Sequence, residues 1–349
     1  MAPHPCINII SYSTGSGLDQ DIHILLNLLK TSGYQAQWTK RLPAPGNQRS
    51  IPRLLSFGVA HLKRWLHIFW SKLCYRQPPY TLNLFIERID PRWLASARYN
   101  WFIPNQEWFF SKEIPFLEKI NLVVCKTHHC QDLFDKLECT TEYISFTSQD
   151  TYDSTIPKQF DRFFHAPGRS LAKGTKAVVD LWLKHPEWPH LTLLQNPRSK
   201  LGILTTNHAN LEYRFEQVSR SELQKIQNAC GIHLCPSTSE GFGHYINEAL
   251  ASGAVVVTTD GPPMNELVTS DRGVVVPWRD SQPRRLGTDY FIDSQALEAA
   301  IESLIQMSHA EKEALGQRAR AWYLANDRFF RQRFLDILRD RIPEFRDPA

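Results

Sequence analysis

Acidic residues are missing from a long part of this chain: between residues 22 and 86 there is no aspartate or glutamate, while Lys30, Lys40, Arg41, Arg49, Arg53, Lys63, Arg64, Lys72 and Arg76 all fall there. Over the whole chain the imbalance nearly vanishes, with a formal charge of +4, so general affinity for nucleic acid is not expected. Long apolar runs are absent too, and nothing approaches the ~18–20 residues a membrane span requires. The seven cysteines form no Cys-x-x-Cys pair, which argues against a disulfide framework and against a structural zinc site. The Cys125/Cys130 spacing fits no metal motif. The first residues lack a basic stretch followed by an apolar one, so no signal peptide is expected. A reducing cytoplasm is the expected compartment.

What is present fits two domains. The chain has 349 residues, more than one ordinary core needs. Short apolar runs alternate with amphipathic ones. Ile7–Tyr12, Leu82–Ile86, Trp101–Ile103, Leu122–Cys125 and Glu142–Phe146 read as strands, with helices over Leu18–Ser32 and Gln131–Leu137. Gly33 is placed to cap the first helix. A polar stretch at 147–162 marks a boundary, after which the alternation restarts. Strands are expected at Phe163–Ala166, Leu191–Gln195, Leu201–Leu204, Gly231–Cys235 and Val255–Thr259, with a helix over Lys176–His185 and a capping box at Ser219–Glu222. Asp280–Asp289, broken by Pro283 and Gly287, reads as a surface loop. Residues 311–341 read as charged amphipathic helices. Strand and helix in alternation imply an α/β fold of parallel, doubly wound sheets.

Residues 237–260 carry the most chemistry. Glu240 and Glu248 flank a Gly241-Phe242-Gly243 turn that joins an apolar strand to a helix. Amides at such a helix start favour an anion, and a carboxylate can accept from vicinal hydroxyls. Phosphate and hydroxyl together describe a nucleotide sugar. Glu248 is placed for a ribose and Glu240 for the sugar, although two surface glutamates near a helix start would look similar. Gly15-Ser16-Gly17 is a second glycine loop, either a diphosphate approach or an ordinary turn, because it is not a full dinucleotide fingerprint. The loop Ala166–Thr175 holds Arg169, Ser170 and Lys173 at the carboxyl end of a strand, where fixed cations would offset the charge of a departing diphosphate.

The run Ser239-Glu-Gly-Phe-Gly-x4-Glu-Ala-Leu-Ala-Ser-Gly253, with Glu266-Leu-Val268 downstream, resembles the donor-site signature of the retaining GT-B glycosyltransferases of family 4, the glycosyl transferases group 1. The resemblance is strongest over 163–280. It implies two Rossmann-like domains facing across a cleft: 1–155 on the acceptor side, 156–320 binding the nucleotide-sugar donor, and 321–349 as a helix crossing back. It implies Glu240, Arg169 and Lys173 as catalytic, Glu248, Ser170, Gly241, Phe242, Gly243, His244, Gly15 and Gly17 as donor-binding, and no metal or other cofactor. The departures are an Arg169-to-Lys173 spacing one residue short, His244 in place of an aliphatic residue, and Asn265-Glu266 in place of an acidic pair. The donor would be UDP- or GDP-linked, and the acceptor a glycan, a lipid-linked sugar or a protein.

Family enzymes commonly set a first-domain histidine near the sugar. His128 is the candidate here, with His129 beside it, and Asn105 and Glu107 lie at a strand end on the acceptor side. Glu107 is also a candidate partner for Lys126. Within the basic stretch, Leu54, Leu62, Trp65, Leu66, Phe69 and Leu73 recur at helical spacing, so residues 51–74 are either an ordinary amphipathic core helix or a peripheral contact with an anionic membrane. The competing functions are a non-catalytic nucleotide-sugar binding module, an epimerase or inverting transferase on the same fold, and a Rossmann oxidoreductase.

Overall fold

The computed structural model describes residues 5–12, 17–40 and 78–346. Gly15 and the 51–74 segment, with its candidate membrane contact, lie outside the described residues. The chain divides into two compact units: residues 1–126, 130–144 and 331–349 form the first, and residues 127–129 and 145–330 the second.

The first unit is a six-stranded parallel sheet. Its strands are β1 (Cys6–Ser11), β2 (Gln35–Lys40), β3 (Tyr80–Glu87), β4 (Ala97–Pro104), β5 (Leu122–Cys125) and β6 (Thr141–Tyr143), in the order β2-β1-β3-β4-β5-β6. The central strands read as continuous apolar runs because both faces are covered; Leu82, Leu84, Phe85 and Ile86 are all buried. Helix α1 (Gly17–Thr31) follows β1, and α2 (His128–Asp135) follows β5. Gly33 ends α1 in the left-handed region at φ 84°, and the Tyr34 amide returns to the Leu29 carbonyl at 2.9 Å, as the sequence led us to expect. The end of the chain packs on this unit: Tyr34 meets Phe345 edge to face, and Arg333 reaches Glu142 at 2.6 Å.

The second unit has strands β7 (Gln159–Gly168), β8 (Leu191–Gln195), β9 (Leu211–Phe215), β10 (Cys230–Cys235), β11 (Val255–Thr259) and β12 (Gly273–Val276). They form a parallel sheet in the order β12-β11-β10-β7-β8-β9. This is the Rossmann order, whose strand sequence reverses between β7 and β10. Its helices are α3 (Thr175–Lys184), α4 (Arg220–Ala229), α5 (His244–Ala251), α6 (Met264–Leu267), α7 (Ser294–Gln306) and the part of α8 (His309–Arg341) that precedes residue 331. Ser219 caps α4 by accepting from the Glu222 amide at 3.2 Å. The Glu222 carboxylate does not complete the box, because it is bound to Arg214.

Two expectations are corrected. Leu201–Leu204 is not a strand; it is a turn region with Gly202 at φ 68°, and the strand falls at Leu211–Phe215, which matches Leu191–Gln195 residue for residue. Asp280–Asp289 is not an irregular loop. It belongs to an antiparallel hairpin of β13 (Trp278–Arg284) and β14 (Gly287–Ile292). Arg285 makes the turn at φ 55°, and Pro283 is tolerated because a two-stranded ribbon has open edges.

Candidate active site

In an open parallel sheet, ligands bind at the carboxyl ends of the strands where the strand order reverses. In the second unit that point lies between β7 and β10, and the two loops leaving these strands are the two singled out from sequence. They are clamped together. The Thr238 amide donates to the Ala172 carbonyl at 3.0 Å. Gly174 takes φ 61°, and a Cβ there would lie 2.3 Å from the Pro236 carbonyl oxygen, so this close approach needs glycine.

Beneath the loops, His165 on β7 is fully buried. Its Nδ1 donates to the Leu234 carbonyl of β10 at 2.7 Å, and its Nε2 accepts from the Thr175 hydroxyl at 3.0 Å. This arrangement fixes a neutral ring, and burial lowers its pKa to about 4.

The clamp brings Lys173 to Glu240 as a half-buried ion pair. The same Glu240 Oε1 accepts from the Ser237 hydroxyl at 2.5 Å, and Ser237 also bonds the Tyr245 hydroxyl. Lys173 Nζ stands 3.9 Å from the Tyr245 ring centre, within cation–π range. Burial pushes the Tyr245 phenol well above its usual pKa. The ammonium has three donors, so one can hold Glu240 while the others face an anion. Sequence reasoning missed Ser237 and Tyr245; the only signal was their position flanking Glu240.

The other donor-side residues fall around this centre. Gly243 starts α5 at φ 105°, a conformation suited to glycine, and its carbonyl receives the Ile246 and Asn247 amides at 3.0 Å each. Gly241 and Phe242 are buried. Glu248 lies one turn along α5, where its Oε2 accepts from Gln227 Nε2 at 3.3 Å. Both residues line a cavity of about 70 Å³ with Tyr245, Phe164 and Leu234. Ser170 shapes its loop by accepting from the Ala172 amide at 3.1 Å, and Arg169 is half-buried beside it. The His244 ring turns to Ser148, with Nδ1 at 2.8 Å from the hydroxyl, and packs against Phe146 and Phe242. Its imidazole is therefore engaged with the 146–148 segment.

Residues 127–129 group with the second unit. The amides of His128 and His129 donate to the Glu266 carboxylate at 2.7 and 2.8 Å, which occupies the start of α2 with a negative charge. The His128 side chain is exposed.

In the first unit the order reverses between β1 and β3, and a buried polar network occupies that end. Tyr12 donates to Glu87, a non-glycine residue at φ 67°. Asn105 donates to the same carboxylate at 3.2 Å and accepts from Lys126 at 2.6 Å. Lys126 also pairs with Asp21 at 3.0 Å. Glu107 is buried in the short 3-10 turn after Asn105, and Gly17 opens α1. Among the described residues, the side chains grouped with metal-ligand spacing are His185, Glu298 and Glu302. There Lys184 already donates to both Glu298 oxygens, at 2.7 and 2.8 Å.

Two six-stranded parallel sheets, each with an order reversal, define a GT-B fold, and comparison with known structures agrees. Sucrose-phosphate synthase from Thermosynechococcus elongatus superposes with a TM-score of 0.69 at 16% identity, over 97% of this chain and 99% of that one. A trehalose-6-phosphate protein from E. coli bound with UDP-2-fluoro glucose gives 0.65 at 13% identity, over 95% and 98%. HepE of Anabaena in complex with UDP-glucose gives 0.63 at 15% identity, over 97% and 100%. Residues 213–322 match the model of the family described as glycosyl transferases group 1, which bears out the resemblance read from 239–268. None of the curated proteins matches the chain. Among the described residues, no helix is long and apolar enough to cross a membrane.

Proposed function

We propose that the protein is a glycosyltransferase that moves a sugar from a nucleoside-diphosphate sugar to an acceptor hydroxyl, with retention of configuration and without a metal ion. The observation that carries this reading is the meeting of Lys173 and Glu240 at the reversal point of the second sheet, in the loop before the helix that bears Glu248 one turn from its start. Cation, carboxylates and the amides at the start of α5 there suit the parts of one ligand. Glu248 accepts from the ribose hydroxyls, and the α5 amides with Lys173 and Arg169 take the diphosphate. Glu240, held by Ser237 and Lys173, orients the sugar.

As the sugar–phosphate bond breaks, negative charge grows on the leaving diphosphate, and donors fixed before reaction stabilise it without reorganising. A leaving-phosphate oxygen takes the acceptor's proton, so no side-chain base is required. UDP- and GDP-sugars are the first donors to try, since two of the similar structures hold UDP-linked sugars. Glycans, lipid-linked sugars and proteins are the acceptor classes in view, with Asn105 and Glu107 as acceptor-side candidates, His128 as the catalytic histidine near the sugar, and the cytoplasm as the proposed compartment.

The test is release of nucleoside diphosphate from a panel of UDP- and GDP-sugars with carbohydrate acceptors, with and without EDTA. The anomeric coupling of the product is then read by NMR. The reading expects turnover unaffected by EDTA and a product with the donor's configuration. An inverted linkage would sink the retaining assignment. Free epimerised donor would point to an epimerase instead.

A further inference from the structure

The β13–β14 hairpin carries exposed Trp278 and Phe291, yet one side of it is fastened to the loop that bears Glu240. Two contacts do this, and a third holds the hairpin to the turn after β11. The Tyr290 amide donates to the Thr238 carbonyl at 2.7 Å. The Tyr290 ring covers Gly261 so closely that a Cβ there would lie 2.7 Å from it. The Ser239 hydroxyl donates to Asp289 Oδ1 at 2.7 Å, and both residues are buried. Arg284, on the facing strand, reaches the same Oδ1 at 3.2 Å. Asp289 therefore sits between an arginine of the hairpin and the residue next to Glu240.

A buried carboxylate held from two sides has one orientation, and each charge-assisted hydrogen bond to it is strong. Ser239 is the backbone neighbour of Glu240, so fixing its side chain limits the rotation available to the loop at that residue. Lys173 and Ser237 hold the Glu240 carboxylate itself. Without Asp289, no side chain would hold Ser239, and the loop would be left to those contacts and the two backbone bonds of Thr238.

We propose that the hairpin is a working part of the donor site, and that Asp289 is a positioning residue which, through Ser239, sets the Glu240 loop for the sugar. This inference rests on the donor-site reading above. It assigns the hairpin to the sugar end of the ligand, away from the nucleoside that Glu248 would hold. Asp289 then governs how well the sugar is gripped and leaves the nucleotide's own contacts alone.

Two measurements test it. The first needs no ligand: amide hydrogen exchange over residues 236–243 in the wild type, D289A and D289N. D289A is expected to exchange faster there, while D289N, which keeps an acceptor oxygen for Ser239, stays near wild type. Unchanged exchange in D289A would overturn the proposal. The second compares UDP with UDP-glucose, and GDP with GDP-mannose, by calorimetry. For the pair that wild type binds, D289A is expected to keep nucleoside-diphosphate affinity within about twofold and to lose about tenfold for the nucleotide sugar, the scale of one charged hydrogen bond. D289N should restore most of that loss. Equal loss for both ligands, or for neither, would overturn the positioning role alone. If wild type binds neither pair, the donor-site reading falls and this proposal falls with it.

Discussion

Acid should loosen the second unit through its two buried neutral histidines. His165 bridges β7, β10 and the start of α3, with a pKa lowered by burial to about 4 from an ordinary 6.5. His233 on β10 is lowered to about 3 by burial and by nearby Lys158, and its Nε2 lies 3.0 Å from the Gln227 carbonyl. For both groups the folded pKa lies below the unfolded one. Between pH 6.5 and about 4 the unfolded chain therefore binds the proton that the folded chain refuses. The stability these rings leave intact above pH 6.5 is lost as the pH falls. The slope is about 1.4 kcal/mol per pH unit for each ring, and His165 alone contributes about 3 kcal/mol by pH 4. That is a large share of an ordinary folding free energy of about 5–15 kcal/mol. The assay is urea denaturation at half-unit steps from pH 7.5 to 4.5 for wild type and His165→Gln. The variant will be less stable at pH 7.5, because a flexible amide replaces the packed ring between Leu234 and Thr175, but its stability should fall less steeply below pH 6.5. Parallel slopes would refute the reasoning, because carboxylates common to both proteins would then account for the whole pH dependence.

Lys158 works in the opposite pH range. Burial lowers it to about 8 from 10.5, so its cost is full below pH 8 and is relieved as the pH rises to 10.5. Lys158→Met should stabilise the protein at pH 7 by about 2 kcal/mol after the hydrogen bond to the Asn228 carbonyl is lost, and should flatten the rise above pH 8 in denaturation curves. Gly243→Ala forces alanine to φ 105° with Ile246 and Leu267 methyls 3.2 Å from its Cβ; a cost of about 1–3 kcal/mol and weaker diphosphate binding are expected by thermal shift and calorimetry. Lys173→Met should lower nucleoside-diphosphate affinity about tenfold or more, read by calorimetry, and a full-strength complex would remove Lys173 from the anion site.

The repeated β–α alternation was legible because buried parallel strands must be apolar on both faces; Leu122–Cys125 and Val255–Thr259 needed no other signal. The Gly243 turn opening a helix between Glu240 and Glu248 was legible because a glycine turn at a helix start is local chemistry. What escaped was set by tertiary pairing. Leu211–Phe215 has polar Glu212 and Arg214 in an edge strand, which hides its period, while the apolar Leu201–Leu204 suggested a strand that has no neighbour. Pro283 and Gly287 suggested a surface loop where they belong to a hairpin. Tyr245 and Asp289 meet Lys173 and Ser239, distant in sequence, and a serine or tyrosine beside a motif, such as Ser237, does not announce its contacts. The departure at His244 was visible, but its reason, the Ser148 hydroxyl nearly a hundred positions earlier, was not.

Binding of UDP, GDP and ADP to wild type and Glu248→Ala, by calorimetry with and without magnesium, tests the central claim most directly. The account predicts that one nucleoside diphosphate binds wild type equally well with and without the metal, and that the variant loses about tenfold or more, the scale of a carboxylate bonded to two hydroxyls. Equal affinity in wild type and variant, or no binding of any nucleotide to wild type, would contradict it.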